Sequence, residues 1–158
     1  MQNTLRKLMT TRAPAAVLLV RIAVGAVFLS EGIQKFLFPA ALGVGRMAKI
    51  GIPWPQVMGP FVGAVEIICG GLVLFGLLTR LAAVPLAVTM GVALVSTKIP
   101  ILLGHAYWGL RLRSLPSYGF WRMAHESRTD LAMLLCALFL LVLGAGRWSL
   151  DARIAGGR

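Results

Sequence analysis

The sequence predicts an all-α integral membrane protein, built as a bundle of four transmembrane helices. Of its 158 residues, 58% are apolar and 13% are charged, and the mean hydropathy of +0.84 is above that of an ordinary soluble domain. The apolar residues are grouped in long runs, which as helices would cross a hydrocarbon layer of ~30 Å. We therefore expect residues 1–158 to form a single membrane domain embedded in a lipid bilayer.

The first transmembrane helix is predicted at residues 13–38, after a short basic head that carries Arg6, Lys7 and Arg12. A basic head before an apolar run is also how a secretory signal begins. This run is too long for a signal, and no small-residue cleavage site follows it. Pro39 is expected to end the helix, because proline has no N–H to donate.

One face of this first helix is polar or small, at helical spacing. It carries Arg21, Gly25, Phe28, Gly32 and Lys35. Glu31 and Lys35 are spaced i,i+4, and we predict that they form a solvated surface pair near the helix end.

The second helix is predicted at residues 56–78, an apolar run with one carboxylate, Glu66, near its centre. Gly59, Gly63, Glu66 and Gly70 lie on one stripe at ~100° per residue. A lone charge at the bilayer centre is unfavourable by ~2.5–3.5 kcal/mol, so Glu66 is either protonated or paired. We predict that the stripes of the first two helices face each other and that Arg21 pairs with Glu66. The pair is either a structural ion pair or part of a proton- or ligand-binding site.

Glycine and proline break residues 39–55 into a loop, and two further helices are predicted at 81–98 and 129–146. The third helix has a mildly polar face, with Pro85, Thr89, Val92 and Ser96.

Residues 99–128 between the third and fourth helices are both aromatic and basic, as segments at the membrane interface are. They are predicted to lie on the head groups as a lid or amphipathic helix. Alternatively they cap a pocket together with residues 39–55. In that case a ring-shaped ligand would contact His105, Tyr107, Trp108 and His125.

Several other classes of site and partner are not predicted. The net charge of +11 comes mainly from basic residues that flank apolar runs, where anionic lipid explains them better than nucleic acid does. His105, His125, Glu126 and Asp130 match no standard metal spacing, so no metal is expected. Cys69 and Cys136 lie separately inside apolar runs and are interpreted as apolar fillers.

The chain resembles the DoxX family of small four-helix bacterial membrane proteins, over roughly residues 14–151. The pattern is in RIAVGAVFLSEGIQK of the first helix, GAVEIICGG of the second, the turn GLLTR and the exit GAGRWSLD. The residues that carry the resemblance are Arg21, Gly25, Gly32, Lys35, Gly63, Glu66, Gly70, Gly71, Arg80, Gly144, Gly146, Arg147, Ser149 and Asp151.

The resemblance implies a place in the bacterial cytoplasmic membrane and a link to redox chemistry. The family is similar to subunits of a thiosulfate:quinone oxidoreductase, and some relatives act with soluble enzymes of thiol-oxidative stress. We therefore expect an accessory or quinone-interacting subunit, with no covalently bound cofactor and with a quinone as the candidate ligand. The sequence has no FAD, NAD or haem fingerprint, so electrons would come through a partner, and the chain's own status as an enzyme stays open.

Two alternatives stay open: a small proton-coupled transporter that uses Glu66, and a non-catalytic scaffold for soluble redox enzymes. A homo-oligomer could form through the glycines at 70 and 71. An even number of spans places both termini on one side. That side carries seven basic residues and the other carries eight, so we favour cytoplasmic termini only because the flank of the first helix is basic.

Overall fold

In the computed structural model, residues 9–11 and 13–156 are described, and they contain helices and loops but no β-strand. The three basic residues of the predicted head, Arg6, Lys7 and Arg12, lie outside these residues. The helices of the described residues are α1 (Val17–Leu37), α2 (Val44–Ile50), α3 (Pro55–Phe75), α4 (Thr79–Leu103), α5 (Phe120–Leu143) and α6 (Leu150–Gly156).

Three of these helices, α1, α3 and α4, are long and apolar enough to cross a membrane, which confirms the predicted all-α membrane class. The fourth long helix, α5, has 24 residues, but charged side chains interrupt its first half. They are Arg122, Glu126, Arg128 and Asp130. The uninterrupted apolar part of α5 is therefore residues 131–143, shorter than a usual span.

The segment 99–128 differs most from its prediction. Helix α4 continues to Leu103, and α5 begins at Phe120 rather than at 129, so the connecting loop is only residues 104–119. The start of α5 is stabilised by Glu126, whose carboxylate pairs with Arg122 one turn earlier at 2.8 Å. Such i,i+4 pairs support a helix that is polar on its surface. Apolar periodicity alone does not detect a helix of this kind.

Helices α1 and α3 pack antiparallel through their glycines, and the two predicted stripes do face each other. A Cβ added at Gly32 would lie 2.7 Å from the Gly63 carbonyl oxygen, and one at Gly70 would lie 3.1 Å from the Gly25 carbonyl oxygen. Backbones approach this closely only where no side chain stands between them. Gly70 is therefore used inside the bundle. A Cβ added at Gly71 would have no heavy atom within 4 Å, so Gly71 faces outward.

The bundle has a buried apolar core and an apolar outer surface. Val24, Phe28, Leu86 and Leu140 are at most 1% exposed and come from α1, α4 and α5. Large apolar side chains also cover the outside, among them Leu19, Ile68, Val88 and Val142. Soluble monomers rarely expose so large an apolar surface, whereas a surface in contact with lipid is apolar.

The bundle has two distinct ends. We call the end where α1 starts and α6 lies the terminal side, and the end with α2 and the loop 104–119 the loop side. On the loop side, the Arg111 N–H donates to the Ile50 carbonyl at 2.9 Å, so the two loop segments are in contact. On the terminal side, the Asp151 N–H donates to the Gly76 carbonyl at 2.8 Å.

A cavity next to a buried ion pair

A cavity of about 400 Å³ opens between the helices in the loop-side half of the bundle. Helices α1 to α5 all contribute to its wall, and most of the lining is apolar. Four methionines line it: Met47, Met58, Met90 and Met133. Methionine is unbranched and flexible, so such a wall adapts to ligands of different shape. The volume is within the usual range for small-molecule sites.

The main polar feature of the cavity is an ion pair between Lys35 of α1 and Glu66 of α3. The Lys35 Nζ lies 2.6 Å from the Glu66 Oε2, and the two side chains are 9% and 3% exposed. Glu31 is a second, longer neighbour of the ammonium, at 3.7 Å. The predicted pair of Glu31 with Lys35 is therefore present, but the prediction that it is solvated is wrong for Lys35, whose side chain is only 9% exposed. The buried carboxylate of Glu66 neutralises Lys35, and the exposed carboxylate of Glu31 is farther from the ammonium.

The predicted pair of Arg21 with Glu66 is also wrong, for a geometric reason. Where α1 packs against α3, Arg21 lies beside Leu74. Leu74 is eight residues from Glu66, which is about 12 Å of helix rise. Side chains on a helix lean toward its N-terminus. Because α1 and α3 are antiparallel, Lys35 and Glu66 lean toward each other, whereas Arg21 leans away toward the terminal side.

Arg21 instead binds backbone carbonyls where α3 ends. Its Nε donates to the Val73 carbonyl at 3.0 Å, and its Nη2 donates to the Leu74 carbonyl at 2.8 Å. Its Nη1 donates to the carbonyls of Ala145 and Trp148 at 3.2 and 2.6 Å. The last carbonyls of a helix have no partner within the helix, and a cation there also favours the helix dipole. Arg21 thus fastens the end of α3 to the turn after α5.

The exit motif completes this fastening with Asp151 of α6. Its carboxylate oxygens accept the N–H groups of Leu78 and Thr79 at 2.7 and 3.0 Å, so Asp151 caps the start of α4. The cap is 1% exposed. Asp151 is thus an N-cap supplied by a distant part of the chain.

The remaining motif residues on the terminal side have local structural contacts. The Ser149 hydroxyl donates to the Gly146 carbonyl at 2.7 Å, and Arg80 Nη2 donates to the Val142 carbonyl at 3.1 Å. Gly144 and Gly146 have φ of 81° and 77°, which favour glycine. Arg147 is exposed. None of these residues lines the cavity.

The wall formed by α4 and α5 carries a second group of polar side chains. Residues Leu94–Lys98 of α4 form a π-helical turn, and Ser96 of this turn lines the cavity together with Asp130 of α5. The Lys98 Nζ lies 3.0 Å from the Asp130 Oδ2. Thr89 and Val92 also line the cavity. The polar face predicted for this helix is therefore the face that the cavity uses.

The side chains of segment 99–128 that were predicted to contact a ring-shaped ligand do not reach the cavity. His105, Tyr107, Trp108 and His125 are all exposed, and none of them is in its lining. Tyr107 and Trp108 stack on each other with ring centroids 5.8 Å apart, and Trp108 is 89% exposed. The lining nearest to this segment comes instead from α2, which supplies Arg46, Met47 and Ile50.

Within residues 9–11 and 13–156, no cluster of three or more His, Cys, Asp or Glu side chains could hold a metal ion. Cys69 and Cys136 are free thiols, and both pack against the apolar core.

Sequence reasoning missed Lys35, Ser96, Arg46 and Asp130 as residues that share one site. The signal for Lys35 was its position on the same stripe as Arg21, combined with the direction in which helical side chains lean. No feature of the sequence predicts that α2 or the start of α5 lines the cavity.

Comparison with known proteins places this chain among membrane proteins. It matches the DoxX family over residues 16–99. It is 50% identical over 149 residues to "Uncharacterized membrane protein Rv3486" of Mycobacterium tuberculosis, which covers 94% of this chain and 87% of that protein. It is 34% identical over 82 residues to "Putative oxidoreductase CatD" of Bacillus subtilis, which covers 52% of this chain and 59% of that protein.

No solved structure matches. The family match covers more than half of the chain and includes both glycine-packed helices and the Lys35–Glu66 pair. The chain is an integral membrane protein of the DoxX family.

Proposed function

We propose that this protein is a quinone-binding accessory subunit of a membrane redox system, and that the cavity beside Lys35 and Glu66 is its quinone site. The observation that carries the proposal is a buried ion pair on the wall of a mostly apolar cavity of about 400 Å³. A buried pair stabilises a fold only weakly compared with apolar residues of the same size, so its position at a cavity favours a role in binding.

The residues present fit the chemistry of a quinone head group. The ammonium of Lys35 can donate a hydrogen bond to a ring carbonyl. Oε2 of Glu66 has no hydrogen bond of acceptable angle within the described residues, although Lys35 is close, so it can accept one from a hydroxyl of the reduced ring. The methionine-rich wall accommodates the ring and the start of an isoprenoid tail.

A bound quinone would supply two-electron, two-proton chemistry. We propose that a soluble redox enzyme delivers or takes the electrons at the membrane surface. The resemblance to one protein named as an oxidoreductase agrees with a redox setting. In this arrangement Lys35 and Glu66 hold and orient the head group, and the apolar wall keeps water from the ring.

A fourth membrane span, formed by α5, belongs to the same proposal. Ala137 and Leu140 of α5 are fully buried against the bundle core, and Leu135 and Val142 on the other side are exposed and apolar. The ion pairs of Asp130 and Glu126 reduce the penalty for its polar first half, which would lie at head-group level. With four spans, both termini lie on the same side of the cytoplasmic membrane, and we propose that this side is the cytoplasm.

Fusion reporters test this topology. Alkaline phosphatase joined after residue 158 should be inactive, and the same enzyme inserted into the loop 104–119 should be active, because phosphatase folds only outside the cytoplasm. A fluorescent protein at the same two positions should give the reverse pattern. Active phosphatase at both positions would exclude α5 as a fourth span, and a full reversal would exclude cytoplasmic termini.

Quinone titration of the purified protein in lipid nanodiscs tests the function. We expect saturable binding by the wild type and binding about 10- to 100-fold weaker in the double variant Lys35→Met/Glu66→Met, because a hydrogen bond to a charged group contributes about 1.5–3 kcal/mol. Removing both charges together leaves no unpaired buried charge, so this variant should remain folded. Its thermal unfolding in the same nanodiscs checks this.

Lys49→Met is the matched control, since Lys49 is an exposed lysine of α2 that does not line the cavity. It should bind like the wild type. Equal binding by the wild type and the double variant would contradict the site. Absence of binding by the wild type would contradict the function and favour the alternative of a non-catalytic scaffold for soluble redox enzymes. In that case, a partner enzyme should be lost from membranes that lack this protein.

A further inference from the structure

We propose that the π-helical turn of α4 forms a second anchor in the same cavity, the hydroxyl of Ser96, so that the ligand is a ring with oxygen atoms at two opposite positions. The inference rests on the proposed function and specifies its ligand. The first anchor is the Lys35–Glu66 pair on the wall of α1 and α3, and the second comes from the wall of α4.

The π-helical turn, Leu94–Lys98, has local causes in the sequence. Pro100 lacks the N–H that an α-helix would direct to the Ser96 carbonyl, so the α-helical pattern loses a hydrogen bond at this point. The Thr97 hydroxyl donates to the Ala93 carbonyl at 2.6 Å, which satisfies that oxygen from a side chain. A π turn inserts a residue and changes which side chains face inward, and such turns are frequent at functional sites.

Ser96 is the polar side chain that this turn leaves without a partner. It is 4% exposed and lines the cavity, and within the described residues its hydroxyl makes no hydrogen bond. The neighbouring hydroxyls differ, because that of Thr89 donates to the Pro85 carbonyl at 2.9 Å and that of Thr97 is used as described. A ligand oxygen in the cavity would give this hydroxyl a partner.

The turn is also held firmly enough to present Ser96. Lys98, the last residue of the turn, is 9% exposed and binds Asp130 of α5 at 3.0 Å. This pair ties the turn to α5 and keeps Ser96 on the cavity wall. Positioning of this kind is what a binding site requires of its supporting residues.

The two anchors have matching chemistry. A serine hydroxyl both donates and accepts, and the Lys35–Glu66 pair offers a donor and an acceptor together. Each anchor can therefore bind a carbonyl oxygen of an oxidised ring or a hydroxyl of a reduced one. A 1,4-quinone and its quinol have one such oxygen at each end, whereas a ring with one oxygen leaves Ser96 without a partner. The structure thus favours two-oxygen rings over one-oxygen rings.

The experiment compares two ligands in nanodiscs: a 1,4-benzoquinone with a short isoprenoid tail, and a cyclohexenone with the same tail and one oxygen. We expect Ser96→Ala and Ser96→Cys to bind the quinone about 3- to 10-fold more weakly than the wild type, as the loss of one neutral hydrogen bond predicts. Binding of the cyclohexenone should not change. Thermal unfolding without ligand should not fall in Ser96→Ala, because that hydroxyl has no partner to lose.

Ser127→Ala is the matched control. Ser127 is a buried helical serine whose hydroxyl donates to the Met123 carbonyl at 2.6 Å, and it does not line the cavity. It should leave the affinity for both ligands unchanged. Quinone affinity in Ser96→Ala equal to that of the wild type would overturn the second anchor and leave the first intact. Absence of quinone binding by the wild type would overturn both the anchor and the proposed function.

Discussion

Replacing Arg21 by methionine should destabilise the protein by about 3–5 kcal/mol, although Arg21 lies outside the cavity. The guanidinium is 2% exposed and donates to four backbone carbonyls, two at the end of α3 and two in the turn after α5. Methionine fills a similar volume but removes a donor from each of the four carbonyls away from water, and within the described residues only that of Val73 is also bonded to the Gly76 N–H. Unfolding in mixed micelles, titrated with a denaturing detergent, measures the loss.

Arg21→Lys separates the charge from the geometry. Lysine keeps the positive charge but not the planar fork of donors, so it can serve only some of the four carbonyls. It should be intermediate in stability. Quinone affinity per folded molecule should be the same in both variants as in the wild type. Unchanged stability of Arg21→Met would show that Arg21 does not fasten the helices, and a selective loss of quinone binding would return Arg21 to the ligand site.

Replacing Gly32 by leucine should separate α1 from α3, with a loss of about 3 kcal/mol or more. Even a Cβ at this position would lie 2.7 Å from the Gly63 carbonyl oxygen and 2.9 Å from the Ile67 backbone nitrogen. Backbone atoms cannot rotate away as a flexible side chain can. Because the helices must move apart, Lys35 and Glu66 should also lose their contact, and quinone binding should fall together with stability.

Gly71→Leu makes the same substitution on the outer face of α3. A Cβ there would have no heavy atom within 4 Å, so no contact is disturbed. Leucine is also a better helix former than glycine by about 0.8–1 kcal/mol, and the variant should be as stable as the wild type or slightly more stable. Equal destabilisation by both substitutions would contradict the close packing of α1 and α3. A loss confined to Gly71→Leu would instead indicate a contact between copies of the chain.

The motif residues that lie outside the cavity still determine its geometry. Arg21 and the glycines set the position of α1 against α3 along the axis and across it. This position brings Lys35 within 2.6 Å of Glu66. Asp151 then fixes the start of α4, the helix whose far end carries Ser96. Much of the motif thus orders the bundle, and a smaller part of it faces the cavity.

The class of the protein and the faces of its helices followed from the sequence alone. Apolar composition and run length predicted the membrane helices, because the bilayer demands long apolar segments wherever they occur in a chain. Helical periodicity predicted that the stripes of α1 and α3 would meet, since small residues at i, i+3 and i+4 share a face in any helix. The apolar length of a helix and the composition of its faces depend only on residues close together in the sequence, so the sequence alone predicts them.

The partners within the site were decided by the tertiary structure. Periodicity assigns a residue to a face but does not give the relative position of two antiparallel helices along their axis, so Glu66 was assigned to Arg21 instead of Lys35. The start of α5 was missed because its stabilising pairs, such as Glu126 with Arg122, are polar. The cavity brings together five helices and a π-helical turn, and its wall forms only where they meet. Distances between residues far apart in sequence depend on how the whole bundle packs, and they are decided only there.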